Sequence, residues 1–386
     1  MANTLTNLIP DFYAALDVVS RELTGFLPAA QRDASADRCA LNATMRSHVA
    51  PSNTAAGNIT PAMSLPSAAD QTIGNVPFTI QKSRFAPFSW TGEEQNSVDS
   101  GSGFLNIQQD QIAQAIRALV NEMEADLASA AALGASRAFG ATAGTAPVLA
   151  DFAQAKKILD DNGAPMSDRH FIVDTTAGVA LRGTSNLFKV NEAGNDSLLR
   201  QGILGNLYGF DIRESAQVVT PTAGTMASAT SSNAAFTVGQ TVIPLATAGT
   251  GVVAAGDIIT FANDTNKYVV ASVSFAGANP ASGDTITLAA PGLRKAQSAA
   301  TRAITVFATS TRNIAMTRNA LLVGTRLPAL PREGDMAIDR TVEVDPRTGI
   351  AFELAVYPGF RMVTYHLSAA WGVKVMKPEH IATIIG

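Results

Sequence analysis

"GILGNLYGFDIR" (202–213) places Gly202, Gly205 and Gly209 three and four residues apart among apolar neighbours. Backbone amides in such a stretch either cradle a phosphate or let the chain turn where a side chain does not fit. The dinucleotide fingerprint needs G-x-G-x-x-G between a strand and a helix, with an acidic residue about 20 positions further on. Here the spacing differs, the preceding "NEAGNDSLLRQ" is polar, and the glycines run into the strand-like "FDIRES". No helix start follows to face an anion. The stretch reads as a structural turn, and the protein around it as something other than a nucleotide enzyme.

Working upstream, "HFIVD" (170–174) predicts a strand feeding the helical "TTAGVALRG", and "APVLADFAQAKKILDDNG" (146–163) predicts a helix closing on Gly163. Before these lies the strongest local signal, "NIQQDQIAQAIRALVNEMEADLASAAALGASRAF" (106–139). Asn106 and Gln109 have the spacing of a capping box, and Ile112, Ile116, Leu119, Met123 and Leu127 mark one face, broadened by Val120 and Ala131. At 1.5 Å per residue this predicts a helix on the order of 50 Å long. Residues 51–75 are rich in Pro, Ser, Ala and Asn, and "VPFTIQKSRFAPFSW" (76–90) returns as an aromatic strand. Together they predict a projecting hairpin. At the start, Phe12, Leu16, Val19, Leu23 and Phe26 form one apolar stripe on a predicted helix over 10–27.

Downstream, residues 218–306 hold three acidic and four basic residues, with runs such as "AFTVGQTVIPL", "GDIITFAND", "NKYVVASVSF", "GDTITLAAP" and "RAITVFA". Short β-prone runs separated by turn residues predict a small β-barrel or sandwich inserted into the chain. "TRNIAMTRNALLVG" (311–324) reads as a helix, and 335–377 as antiparallel strands joined at "DPRTG".

The bulk composition agrees with a building block. Of 386 residues, 46% are hydrophobic and 16% charged, below the roughly 25% of ordinary soluble domains. A net charge of −4 argues against a dedicated nucleic-acid reader. The arginines at 312, 318, 326, 332, 340 and 347 interleave with Glu333, Asp335, Asp339, Glu343 and Asp345, which suits ion pairs between subunits better than a phosphate-tracking stripe. Cys39 is the single cysteine, no secretory signal or apolar membrane-spanning run is found, and the chain reads as soluble and made without export. His48, His170, His366 and His380 lack metal-ligand spacing, nothing in the sequence places a partner opposite Glu93-Glu94 or Asp160-Asp161 for acid–base work, and no nucleophile elbow, H-E-x-x-H or P-loop occurs. No catalytic, cofactor-binding or metal-binding residue is assigned.

The order of these parts resembles the major capsid proteins of tailed double-stranded DNA bacteriophages, the α+β Hong Kong 97-type fold. "GILGNLYGFDIRES" is similar to the family's glycine turn and strand, "HFIVDTTAGVALRG" to the strand-then-helix unit before it, and "NIAMTRNALLVGTRLPALP" to the helix that re-enters the core after the insertion. "DPRTGIAFELAVYPGFRMVTYHLSAAWGVKVMKPEHIATI" resembles the closing sheet, with its Trp371-Gly372 pair. The resemblance implies an N-terminal arm over 1–50, an E-loop hairpin over 51–92, and a spine helix of the P-domain over 93–145. It further implies an A-domain beginning at 146–217, an inserted β-barrel at 218–307 as in podovirus-type coat proteins, and a return over 308–386.

On that resemblance the chain self-assembles into hexamers and pentamers of an icosahedral shell, built in the host cytoplasm and located in the virion. Expected partners are further copies, a separate scaffolding protein, a portal protein, packaged double-stranded DNA bound without sequence specificity, and optionally a decoration protein, with no membrane. Phe78, Phe85, Phe88 and Trp90 are the candidate inter-subunit contacts at the base of the hairpin; some relatives crosslink through an E-loop lysine, for which Lys82 is the only candidate here, and it reads instead as an ordinary solvated lysine. Two alternatives stand beside this: an encapsulin-like nanocompartment shell, and an α/β enzyme with a β-rich lid.

Overall fold

The computed structural model describes residues 24–49, 61, 74–99, 104–140, 144–184, 204–247, 249–275, 281–345 and 349–386. Its first part holds helix α1 (Phe26–Ala29) and strands β1 (Gln31–Cys39), β2 (Thr44–Val49), β3 (Gly74–Thr79) and β4 (Lys82–Thr91). Helices α2 (Gly92–Asp99) and α3 (Phe104–Leu133) follow, then β5 (Arg137–Phe139), α4 (Leu149–Asp161), β6 (Arg169–Val173) and α5 (Thr175–Arg182). Next come β7 (Asn206–Leu207), β8 (Phe210–Glu214), β9 (Ala229–Ser231), β10 (Val242–Thr247), β11 (Ile258–Phe261) and β12 (Lys267–Ser274). The chain continues through β13 (Thr285–Leu288), β14 (Ala303–Val306), β15 (Arg312–Thr317) and β16 (Leu321–Pro328). It ends with β17 (Asp339–Val344), β18 (Ala351–Gly359), β19 (Met362–Val375) and β20 (Ile381–Ile385).

Helix α3 organises the molecule. Its 30 residues span about 45 Å. Ile112, Ile116, Leu119, Met123, Leu127 and Ala131, the stripe expected from the sequence, are all at most 3% exposed. They share one cluster with Trp90, Phe352, Leu354, Tyr365, Leu367 and Trp371 from the sheet beneath. That sheet runs β1-β16-β19-β18-β17, with β4 also paired to β19. Since β4 and β18 both pair Met362–Ser368, they lie on opposite edges of β19. The helix differs from expectation at both ends: it is under way at Phe104, so Asn106 is not its cap, and residues 137–139 form β5 instead of a last turn.

A second set of strands runs β5-β20-β15-β6-β8-β7. Helix α4 covers one of its faces through Phe152, whose ring lies 4.3 Å from that of Phe171, which in turn meets Phe210 edge-on at 5.7 Å. Strands β9–β14 pair in the order β11-β14-β9-β10-β13-β12, and an extra β11–β12 pairing closes the ring. They enclose their own cluster, including Phe236, Ile243, Phe261, Tyr268 and Ile286. One further pairing, Lys267 to Ala138 and Tyr268 to Arg137, ties β12 to β5.

The expectation for residues 311–324 is overturned. Residues 311–324 are not a helix but β15, a 3₁₀ turn at Arg318–Ala320, and the start of β16. Strand β15 hydrogen-bonds to β20 on one edge and β6 on the other, and all six of its residues are buried. A strand covered on both faces shows no alternation, so its short apolar run mimics one face of a helix.

Most of the predicted N-terminal helix (10–27) and the far part of the hairpin lie outside the described residues. The described root of the first is the single turn α1, with Pro28 inside it.

Candidate assembly surface

The glycine stretch builds a hairpin. Leu207 pairs with Phe210 and Asn206 with Asp211, and the two residues between, Tyr208 and Gly209, have φ of 52° and 82°. Positive φ at both central positions is the primed turn that matches strand twist, and Gly supplies it without strain. Gly205 has φ +60°, and its carbonyl accepts from the Ile212 amide at 3.1 Å. A Cβ at 205 or 209 would meet nothing within 4 Å, so the dihedral and not crowding calls for glycine. The turn leads into β8, not into a helix N-terminus. Gly202 lies outside the described residues.

The titratable groups are likewise engaged in structure. No group of three His, Cys, Asp or Glu among the described residues is arranged to hold a metal ion. The buried His170 ring lies 3.4 Å from both Asp168 and Asp211, with an Arg318 nitrogen at 3.3 Å. Burial, then Arg213 and Arg318, hold its pKa below the ordinary histidine value. His366 lies between the rings of Phe85 and Tyr357, at 4.9 and 4.8 Å, and burial lowers its pKa too. His380 is buried in the 3₁₀ turn before β20, and His48 lies on β2.

Three of the interleaved arginines pair within the subunit. Arg326 reaches Asp33, Arg318 reaches Asp168, and Arg340 reaches Asp335 and Glu353. Arg312 is 2% exposed, and burial pushes its pKa down to about 10 against the opposing pull of Asp257. Such a side chain does not track phosphates.

The β2–β3 ribbon and strand β4 divide the four aromatic candidates. Strands β2 and β3 form a two-stranded ribbon, rooted where Phe78 packs on Ile80, Leu322 and Ala370. Trp90 is buried against α3, its indole N–H donating to Gln111 Oε1 at 2.7 Å. Phe88 stacks on Tyr365 at 5.0 Å. Phe85 stacks on His366 but stays 58% exposed. Phe78 and Trp90 therefore fix the hairpin to its own subunit, while Phe85 offers an uncovered ring face. Lys82 donates to Glu122 and Asp126 at 2.8 and 2.9 Å, clamping β4 onto α3.

The root of the N-terminal segment is held by a group the sequence reading passed over. Glu124, 1% exposed, accepts from the amides of Gly25 and Phe26 at 2.6 Å and of Leu27 at 2.9 Å, and from Ser215 Oγ at 3.0 Å. It lies one residue after Met123 and three before Leu127, within the buried stripe of α3. A carboxylate in an apolar stripe needs buried donors, and that was the available signal.

Large apolar side chains project elsewhere. Phe360, at the β18–β19 turn, is 92% exposed, and Met336 and Ile338, preceding the edge strand β17, are 80% and 62% exposed.

No protein-family model matches the chain, and no curated protein matches its sequence. Solved structures do. The capsid of the cyanophage P-SCSP1u matches at 11% identity and a TM-score of 0.51, covering 95% of this chain and 88% of that one. The chain has the phage capsid fold. Mycobacterium phage Che8 matches at 14% identity and TM-score 0.46 over 89% and 84% of the two chains, and the bacteriophage PhiM1 mature capsid at 12% and 0.46 over 94% and 87%. In this capsid fold the α3 helix and the β4–β19 pair share one buried cluster, and Phe360 at the β18–β19 turn is exposed.

Proposed function

We propose that this chain is the structural major capsid protein of a tailed double-stranded DNA bacteriophage, whose activity is self-assembly into an icosahedral shell. The observation that carries the reading is the fold match over nearly the whole chain. It is supported by a body on whose surface several large apolar side chains, Phe85, Met336, Ile338 and Phe360, are exposed. Many modest contacts, closed by symmetry, make a shell stable without any one tight pair. The reading assigns the chain no reaction.

The finer organisation belongs to the same proposal. Residues 1–50 serve as N-terminal arm, 51–92 as E-loop, 93–145 as spine helix region and 146–217 as the first part of the A-domain. Residues 218–307 form an inserted β-barrel, and 308–386 return to complete the body. The closed strand ring with its own core supports the barrel reading. Hexamers and pentamers are the expected assembly units, with Phe85 and Phe88 as contacts between neighbours. A separate scaffolding protein, a portal, a decoration protein and non-specifically enclosed DNA are the expected partners. The match at TM-score 0.51 is to a phage capsid, which favours a phage shell over a nanocompartment.

Electron microscopy of the overexpressed protein, alone and with candidate scaffolding protein, tests the reading. Closed particles are expected; monomers or small oligomers under every condition would overturn it. Phe85→Ser and Phe360→Ser should reduce particle yield while leaving the subunit's melting temperature within a degree or two, since exposed positions away from cores change stability by about 0.5 kcal/mol or less.

A further inference from the structure

The sheet beneath α3 ends in open edges. Among the described residues β4 pairs only with β19, and β17 only with β18. The amide of Gly92, just past β4, donates to the Arg361 carbonyl at 3.2 Å, and that of Asp345, just past β17, to Ile350 at 2.9 Å. Main-chain groups alternate in direction along an antiparallel strand. Ser83, Phe85 and Pro87 therefore turn theirs away from β19, and Arg340, Val342 and Val344 turn theirs away from β18. Pro87 has no N–H, so it removes one outward donor without breaking the ladder to β19. Strand β17 contains no proline, and its six pairs with β18 run without a register shift. By contrast, the edge strand β1 carries Arg32, Asp33, Asp37 and Arg38 and shifts register against β16, the features of a blunted edge.

The β4 and β17 edges are complementary on both faces. On the face turned to α3, β4 presents Lys82 and Arg84, both of which reach Glu122. There β17 presents Asp339 and Glu343, opposite Val356 and Phe352 of the buried cluster. On the other face β4 carries Phe85, 58% exposed, and β17 carries Val342 and Val344, 37% and 45% exposed. One straight row across the sheet runs Phe85–Ser368–Glu353–Val342. A second copy that continues the sheet with no shift along the strands sets Phe85 opposite Val342, and hence Arg84 opposite Glu343. The strand directions agree: β4 and β18 are antiparallel to β19, and β17 is antiparallel to β18, so β17 of that copy lies antiparallel to β4. Pairing like edges instead sets Lys82 and Arg84 against their own kind, or Asp339 and Glu343 against theirs, which is destabilising.

We infer that β4 of one copy of this chain pairs with β17 of the next, so that the sheet runs on from subunit to subunit. The contact has about five main-chain hydrogen bonds, with Phe85 against Val342 on one face and Arg84 against Glu343 on the other. It joins two different patches, so each copy keeps one of each free, and repetition closes a ring or runs on as a filament. The inference deepens the capsid reading and rests on it for placing the copies in a shell.

Two measurements test the pairing. In the first, Cys39 is changed to Ser, and Ser83→Cys and Val344→Cys are placed on the same chain. Mild oxidation of the particles is expected to give a ladder of covalent oligomers beyond the dimer, while either new cysteine alone gives none. Dimers from a single cysteine, or particles that stay uncrosslinked, overturn the pairing. In the second, Arg84→Glu and Glu343→Arg each lower particle yield about tenfold, because the like-charge penalty recurs at every contact, and the double reversal restores it to within about twofold. A folded double variant as poor as the singles overturns it. Should Arg84→Glu, which also faces Glu122, fail to fold, the cysteine measurement decides. If the parent chain forms no particles, the capsid reading fails. Oxidation of the concentrated soluble double-cysteine chain then decides the pairing: a ladder supports it and monomer overturns it.

Discussion

Glu124 joins three parts of the chain through one carboxylate: the root of the N-terminal segment, the central helix, and the residue that follows β8. Gly25 allows the approach, since a Cβ there would sit 2.9 Å from both Ile172 Cγ2 and Ser215 Cβ. Glu124→Ala leaves three buried amides without an acceptor, each costing about 1–3 kcal/mol. A loss of about 3 kcal/mol or more in urea denaturation is expected, with faster hydrogen exchange at Gly25–Leu27; an unchanged midpoint would remove the carboxylate's role. Glycines separate in the same way by cause. At Gly209 only the positive φ is at stake, so Gly209→Ala should cost about 1–2 kcal/mol. At Gly372 an added Cβ would collide with the Thr79 carbonyl, a backbone atom that cannot swing aside. Gly372→Ala is therefore expected to lower the melting temperature well beyond Gly209→Ala, and comparable losses would contradict the distinction.

Among the elements, the ring β9–β14 closes without borrowing a strand from the rest of the chain. Its joint to the body includes the short β12–β5 pairing, Lys267, whose ammonium reaches the Gly140 carbonyl, the Arg294–Asp161 ion pair at 3.7 Å, and Ile258, Val269 and Ala289, which are buried in the cluster around α3. Residues 218–306 expressed alone are therefore expected to unfold cooperatively, and a segment without dispersed amide signals would refute the domain boundary. The strands of this region were legible because short β-prone runs and the turn residues between them agree. The central helix was legible for a similar reason, since a stripe sustained from Ile112 to Ala131 fits one period only. Strand β15 was not, because hydrogen bonding on both edges and burial on both faces erase the alternation that marks a strand. The candidate surface was legible only in part. Aromatic composition picked out the hairpin base, but whether a ring turns inward or outward depends on which face of its strand meets the core: along β4 the alternation puts Phe88 and Trp90 on the face turned to α3 and Phe85 on the other.

Across the whole molecule, acid acts through histidines before it acts through carboxylates. His170, His366 and His380 all have pKa values lowered in the folded chain, each chiefly by burial. The unfolded chain therefore takes up these protons first, near the ordinary histidine value of about 6.5. Stability is complete above that value and falls as pH drops below it, because each proton bound only by the unfolded chain favours unfolding. Carboxylates whose pKa is held down, Glu94, Glu122 and Asp335, add a second loss only below about pH 4.5, where unfolded carboxylates begin to protonate. Urea midpoints measured from pH 7.5 to 5 should thus decline before any carboxylate titrates. His170 contributes to that decline because Arg213 and Arg318 reinforce its burial, with Asp211 and Asp168 only partly opposing them. His170→Gln should accordingly flatten the slope between pH 6.5 and 5 relative to the parent chain, even if it lowers stability at pH 7.5. A slope that the substitution leaves unchanged would show that His170 takes up its proton equally in both states.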